Sequence, residues 1–330
     1  MMPLPAFRLD RPESLDEALR LLAQTPGAQA VAGGTDLLVS MKHGLFRPSV
    51  LVDLCAVQGL ARVETTPDGI EVGAGVRMSR LRDDSDIGRR FTALSEAAGQ
   101  AASPLLQNMG TLGGNLCLDT RCRYYNQSAF WRESRGHCLK RDGSICQAAP
   151  SAARCFAVCS SDTAPALIAL GARVRLARCS DDGTIYRELP LEGLYVEDGI
   201  GPLTLEPGEL LAGVRLHHTP GTRSGFRKYR VRDSIDYPLA SVGAALTMEG
   251  GVMRDVRIVV GALASSPIVA AETMALLEGR RPEAGLLAEA AGLVTKRTKP
   301  VRNQASTPTH RRHMARVMCR RLLEELTTRP

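Results

Sequence analysis

A chain of 330 residues, 44% hydrophobic and 23% charged, is longer than one core usually supports and has the composition of a folded protein, so two or three domains are expected. Its net charge of +7 comes with only 4% aromatic residues and no recognition helix, zinc-finger spacing or ribonucleoprotein motif, which sets nucleic acid aside as a partner. No apolar run approaches the roughly 20 residues that span a bilayer, and MMPLPAFRLDRPESLDEALRLL has no apolar signal core, so the expectation is a soluble, cytoplasmic protein with no membrane partner.

In chain order, Ser14-Leu15-Asp16-Glu17 reads as a capping box, with Leu15, Ala18, Leu21 and Leu22 on one helical face and an exit at Thr25-Pro26-Gly27. A short strand at Ala30-Val31-Ala32 runs into Gly33-Gly34-Thr35-Asp36, followed by a helix from Leu37 to His43 and a strand from Val50 to Leu54. A strand from Gly69 to Ala74 and a helix from Ala93 to Ala102 come next. The stretch from Leu116 to Ser161 shows no sustained period; order resumes with a helix at Ala164–Leu170 and a strand at Ala172–Ala177. A last unit opens near Gly225-Phe226, with strands around Ala240–Met248 and Val256–Leu263 and helices over Glu272–Leu277, Pro282–Val294 and Thr309–Leu326. The pattern is mixed helix and strand with short connections.

Two glycine pairs carry the first chemical argument: Ala32-Gly33-Gly34-Thr35-Asp36 and Thr111-Leu112-Gly113-Gly114-Asn115. Paired glycines let backbone amides approach an anion without an intervening side chain, so two facing loops can hold a dinucleotide pyrophosphate. Taken singly, each is as well explained by a tight turn. Neither is a Rossmann fingerprint, and Gly73-Ala74-Gly75-Val76-Arg77-Met78 lacks the third glycine.

The cysteines are the second signal. Cys117, Cys122, Cys138, Cys146, Cys155 and Cys159 crowd one segment, while Cys55, Cys179 and Cys319 are scattered. In a reducing compartment such a group suggests metal binding more than disulfides. Iron–sulfur, structural zinc and free thiols all remain open on residue type and spacing. The short knuckles of zinc sites and the runs of ferredoxins are both absent. The same segment holds Arg121, Arg123, Arg132, Arg135, Lys140, Arg141 and Arg154 against Asp119, Glu133 and Asp142. It reads either as a solvated loop or as a docking patch for an acidic ferredoxin.

The two glycine loops resemble the flavin-binding signatures of the FAD-carrying medium subunits of the xanthine dehydrogenase and carbon monoxide dehydrogenase family. There the forms are A-G-G-T-x-L-L-x-x-M-K and T-[IL]-G-G-N-[LI]; here they are Ala32 through Lys42 and Thr111 through Leu116. Two later elements also appear in order, Ser161-Asp162-Thr163-Ala164-Pro165-Ala166-Leu167 and Phe226-Arg227-Lys228 onward to Asp236. The resemblance implies an α+β fold: a two-part FAD-binding domain, residues 1–55 and 56–222, with a cysteine-rich insertion at about 116–160 and a C-terminal α+β domain at 223–330. It implies FAD held by Ala32, Gly33, Gly34, Thr35, Asp36, Leu37, Thr111, Gly113, Gly114 and Asn115, with Asp162 on the flavin side and Lys228 near the carbonyl edge of the ring.

The insertion is similar to that in the FAD subunit of 4-hydroxybenzoyl-CoA reductase. This implies an added [4Fe–4S] cluster on Cys122, Cys138, Cys146 and Cys155, with Cys117 and Cys159 as spare candidates. Electrons would enter from ferredoxin, pass through the cluster and FAD to [2Fe–2S] clusters on a small subunit, and reach molybdopterin on a large one. Reductive dehydroxylation of an aromatic acyl-CoA, as in aromatic degradation by a heterohexamer, would follow. No catalytic residue for the organic substrate is expected on this chain. Two alternatives stand beside that reading: an aldehyde or xanthine-type oxidoreductase with outward electron flow, and a non-redox assembly module with a zinc-stabilised loop.

Overall fold

The computed structural model describes residues 3–303 and 305–328; Met1, Met2, Gln304, Arg329 and Pro330, which the expected opening segment and domain limits include, lie outside them. Three sheets follow one another along the chain. The first is parallel, in the order β1 (Arg8–Asp10), β3 (Val50–Asp53), β2 (Ala28–Val31). Helix α1 (Leu15–Gln24) covers it, burying Ala18 and Leu19 with Val50 and Val52. Ser14 Oγ accepts the Glu17 amide at 3.2 Å, but the Glu17 carboxylate reaches back to the Glu13 amide at 3.1 Å and not to that of Ser14. The capping box is therefore displaced by one residue. Strand β2 ends at Val31, before the glycine pair, and α2 (Leu37–Lys42) starts after it.

The second sheet is antiparallel, in the order β4 (Val63–Thr66), β5 (Gly69–Gly73), β8 (Leu210–His217), β6 (Arg173–Ser180), β7 (Gly183–Pro190). Between β5 and β6 the chain builds α3 (Met78–Asp83), α4 (Ser85–Arg90), α5 (Thr92–Gln100), α6 (Pro104–Gln107), α7 (Leu112–Leu116), α8 (Ala129–Arg135) and α9 (Thr163–Ala169). The apolar faces of α3, α4, α5, α7 and α9 close one core with the sheet, around Ile70, Phe91, Leu94, Leu112, Leu116, Leu167 and Val174. Helix α8 lies in the stretch expected to be irregular. Residues Arg121 and Val158 exchange both backbone hydrogen bonds at 2.8 Å, so the insertion starts and ends at one antiparallel bridge.

The third sheet, antiparallel, runs β12 (Ile268–Val269), β11 (Val252–Gly261), β10 (Ala240–Glu249), β9 (Arg223–Tyr229). Helices α10 (Ala271–Leu277), α11 (Ala284–Leu293) and α12 (Pro308–Thr328) complete its own core, with Leu246, Ile258, Leu287, Leu322 and Leu323. Helix α9 lies against the sheet at Gly243 and Gly261, where an added Cβ would come 2.6 Å from Pro165 in each case. Phe226 of β9 is fully buried with Ala93, Ala97 and Ala166. Burial of such a ring contributes about 1.5–3 kcal/mol, which ties the C-terminal unit to α5 and α9. Among the described residues no helix is long and apolar enough to cross a membrane.

Candidate functional site

The two glycine loops meet. A Cβ on Gly33 would overlap the Met109 carbonyl and stand 3.1 Å from Gly110 Cα, so only hydrogen at this position allows the contact. Gly34 takes a positive φ of 67°, which turns the chain into α2. On the other side, Thr111 caps α7 by accepting the Gly114 amide at 3.2 Å, and a Cβ on Gly113 would lie 2.8 Å from that of Ala74. The loops wall a cleft of about 440 Å³. Ala32, Gly33, Gly34, Thr35, Asp36, Leu37, Thr111, Gly114, Asn115 and Asp162 line it, while Gly113 and Lys228 stand behind its surface.

Asn115 turns out to be a joint. Its side-chain oxygen accepts Ser161 Oγ at 2.8 Å, the Thr163 amide at 3.0 Å and Thr163 Oγ1 at 2.7 Å, which aims Asp162 at the cleft. Lys228 lies beside Asp162. Its ammonium lies 2.8 Å from Asp162 Oδ1 and donates to the Gln100 carbonyl at 3.0 Å, with no side-chain exposure. It is therefore a buried partner of Asp162. Burial pushes the Asp162 carboxyl up and the Lys228 ammonium down, each opposed by the other's charge.

One contact network on the rim escaped the sequence reading. Asp36 accepts Arg121 Nη1 at 3.0 Å and Tyr237 Oη at 2.9 Å, and the Arg121 guanidinium stacks 3.9 Å from the Tyr237 ring centre. The triad joins the first glycine loop, the insertion and the C-terminal unit. Nearby, the Ile235 amide donates to the Ala102 carbonyl at 2.7 Å, and both residues have positive φ, 65° and 44°. A β-branched residue there is strained, as backbone at functional sites often is. No local signal could have found these contacts, since each needs distant segments brought together.

Beside the cleft is a second, small cavity lined by Cys122, Cys138, Cys146 and Cys155, with Tyr125, Lys140 and Ala157. The four thiols are free of disulfides, and burial pushes that of Cys122 up to about 11. The Ala157 amide donates to Cys155 Sγ at 3.4 Å. Cys117 instead lines the cleft between the glycine loops, and Cys159 is buried near Tyr195; burial pushes these thiols up to about 12 and about 11. Among the described residues no three His, Cys, Asp or Glu side chains close on a point as a single ion requires. The four thiols line one small cavity.

The basic patch is largely used up internally. Arg132 is buried and donates to the carbonyls of His43, Gly44 and Gln127, Arg121 is held by Asp36, and Arg154 pairs with Glu197 at 2.6 Å. Lys140 has 4% side-chain exposure and an ion pair to Asp119. Arg135 remains exposed, over the Trp131 ring. Of the cations in the segment, Lys140 points its charge inward.

The family model described as the FAD binding domain in molybdopterin dehydrogenase matches residues 5–218, and that of the CO dehydrogenase flavoprotein C-terminal domain matches residues 225–326. The aldehyde oxidoreductase FAD-binding subunit PaoB of Escherichia coli (strain K12) is 33% identical over 273 residues, 80% of this chain and 83% of that protein. The carbon monoxide dehydrogenase medium chain of Afipia carboxidovorans is 26% identical over 326 residues, 98% of each chain. Among solved structures, quinoline 2-oxidoreductase from Pseudomonas putida 86 superposes with a TM-score of 0.78 at 25% identity, covering 99% of this chain and 98% of that one. Reconstituted CO dehydrogenase from Oligotropha carboxidovorans gives 0.81 at 24% identity, with 100% of both chains covered, a likeness of fold. Cleft, fold and both family models agree: this chain belongs to the FAD-binding medium subunits of the molybdenum hydroxylase and xanthine dehydrogenase family, and so is a subunit of an oxidoreductase complex.

Proposed function

We propose that the chain carries electrons outward in an aldehyde- or xanthine-type molybdenum hydroxylase, holding FAD in the glycine-loop cleft and a [4Fe–4S] cluster on Cys122, Cys138, Cys146 and Cys155. The observation that carries this is the adjacency of two cavities, one between paired glycine loops and one lined by four thiols. Bound FAD supplies the exchange between two-electron and one-electron transfer, and a cluster supplies a further one-electron site. The chain's own residues bind and orient. Ala32 to Leu37 and Thr111 to Asn115 hold the diphosphate and ribityl portions, Asn115 aims Asp162, and Lys228 compensates Asp162. The expected boundaries near residues 55 and 222 are kept as part of the proposal.

Zinc would need four sulfurs about 2.3 Å from one centre. In a cubane each thiolate binds its own iron, so sulfurs arranged around a void suit it better. The relatives named above are oxidising enzymes by name, which favours outward flow. A second reading keeps the likeness to 4-hydroxybenzoyl-CoA reductase, with ferredoxin delivering electrons inward; the four-thiol cavity offers such a donor an entry point. Either reading places the chain in the cytoplasm with a large molybdopterin subunit and a small [2Fe–2S] subunit.

Anaerobic purification with assays for FAD, iron, acid-labile sulfide and zinc tests the cofactors. One FAD with about four irons and four sulfides per chain is expected, and Cys146→Ser should lower iron and sulfide while sparing FAD. Zinc without sulfide would sink the cluster, and absence of flavin the whole proposal. Turnover of aldehydes with a dye acceptor, against aromatic acyl-CoA with reduced ferredoxin, decides the direction.

A further inference from the structure

One ion pair has an end in each cavity. Lys140 lines the four-thiol cavity, its ammonium 5.0 Å from the Tyr125 ring centre, and Asp119 lines the flavin cleft. Lys140 Nζ lies 2.5 Å from Asp119 Oδ1 and 2.6 Å from both Thr120 Oγ1 and the Gly199 carbonyl, so its three donors are all engaged. Thr120 Oγ1 in turn donates to the Gly199 carbonyl at 2.6 Å. Gly199 presses on the thiol cage: an added Cβ would come 2.6 Å from Cys155 Sγ and 2.7 Å from the Ala157 amide nitrogen. The ammonium is thus clamped in place by oxygens, one of which belongs to backbone packed on a cage thiol.

We propose that the Lys140–Asp119 pair is an electrostatic coupler that sets the reduction potentials of the cluster and the flavin together. This rests on the cluster reading above. Reduction adds negative charge to either centre, and iron–sulfur potentials follow nearby charge and exclusion of solvent. A buried ammonium is poorly screened by salt and acts strongly across a low-dielectric interior. Lys140 therefore favours reduction of the cluster and attenuates the field of Asp119 at the flavin. Removing either partner shifts both centres, with opposite signs: loss of the lysine leaves a net negative charge between them, and loss of the carboxylate leaves a net positive one. Lys140 and Asp119 are positioning residues in this account, since neither needs to touch a reacting atom.

The test is redox titration of the complete holoenzyme, following the cluster by EPR and the flavin by absorbance, in the wild type, Asp119→Asn and Lys140→Met. Asp119→Asn should raise both midpoints and Lys140→Met lower both, each by about tenfold in the cluster's reduction equilibrium, roughly 59 mV for a one-electron centre. A merely structural pair would change thermal stability without this reversal of sign. Unmoved midpoints at full iron content, or shifts of the same sign in both variants, would overturn the coupler and leave the cluster reading intact. If Lys140→Met loses its cluster, Asp119→Asn decides alone, because asparagine still accepts from Lys140. A wild-type complex without iron and sulfide would remove both ideas at the composition stage, before any potential is measured.

Discussion

Gly33 shows how much the cleft depends on a single missing methyl group. Its hydrogen faces the Met109 carbonyl, and Gly33→Ala must push the two loops apart. Overpacking of this kind costs about 1–3 kcal/mol, so FAD affinity should fall about tenfold or more. Flavin absorbance per purified chain checks this, and full flavin content in the variant would mean that the loops part without cost. The glycine pairs were legible in the sequence because two adjacent residues without side chains mark a close approach of backbone. The pairing of Asp162 with Lys228 was not, since complementary charge declares itself only when β9 and α9 come together. Likewise the bonds from Ser161 and Thr163 to the side-chain oxygen of Asn115, a residue that lines the cleft, appear only once those segments meet.

At the scale of elements, α8 is the part of the insertion that grips the rest of the molecule. Ser128 caps it at the Trp131 amide, and Arg132 reaches the carbonyls of His43 and Gly44 beyond the end of α2. Arg132→Met leaves these carbonyls without a charged donor, a local cost of about 1–3 kcal/mol. Iron and sulfide should then fall while FAD stays, which elemental analysis against flavin absorbance reads directly; unchanged iron would show that the cage holds without this anchor. Helix α8 was hidden because Ala-Phe-Trp-Arg-Glu-Ser-Arg has no apolar stripe: Phe130 is 80% exposed and the buried residue is an arginine. Strand β7 was hidden for a similar reason, being an edge strand with mostly exposed side chains. Strands β10 and β11 were readable because they are buried, apolar and long.

For the whole molecule, the order of motifs along the chain was enough to read the fold, because three fall inside the first matched region and the fourth opens the second. How much of the positive charge reaches the surface was not legible, because composition counts charges without their partners, and Lys140 and Arg132 spend theirs inside. The C-terminal sheet is not a separable appendage. A chain ending at residue 222 would lose Phe226 from between Ala93, Ala97 and Ala166, and would strand Asp162 without Lys228. Removing one partner of a buried pair costs about 3–5 kcal/mol, comparable with much of a domain's stability. Such a fragment should aggregate or fail to retain FAD in size-exclusion chromatography with absorbance detection; a monodisperse yellow fragment would refute the dependence.

The Arg121–Val158 bridge has one more consequence. Paired antiparallel residues are only about 5 Å apart, so the insertion leaves and re-enters the scaffold at one point and imposes no shift of register on the sheets. Seen this way the cysteine segment is a cassette. A lineage can gain or shed it at this one bridge without disturbing the strand pairing on either side.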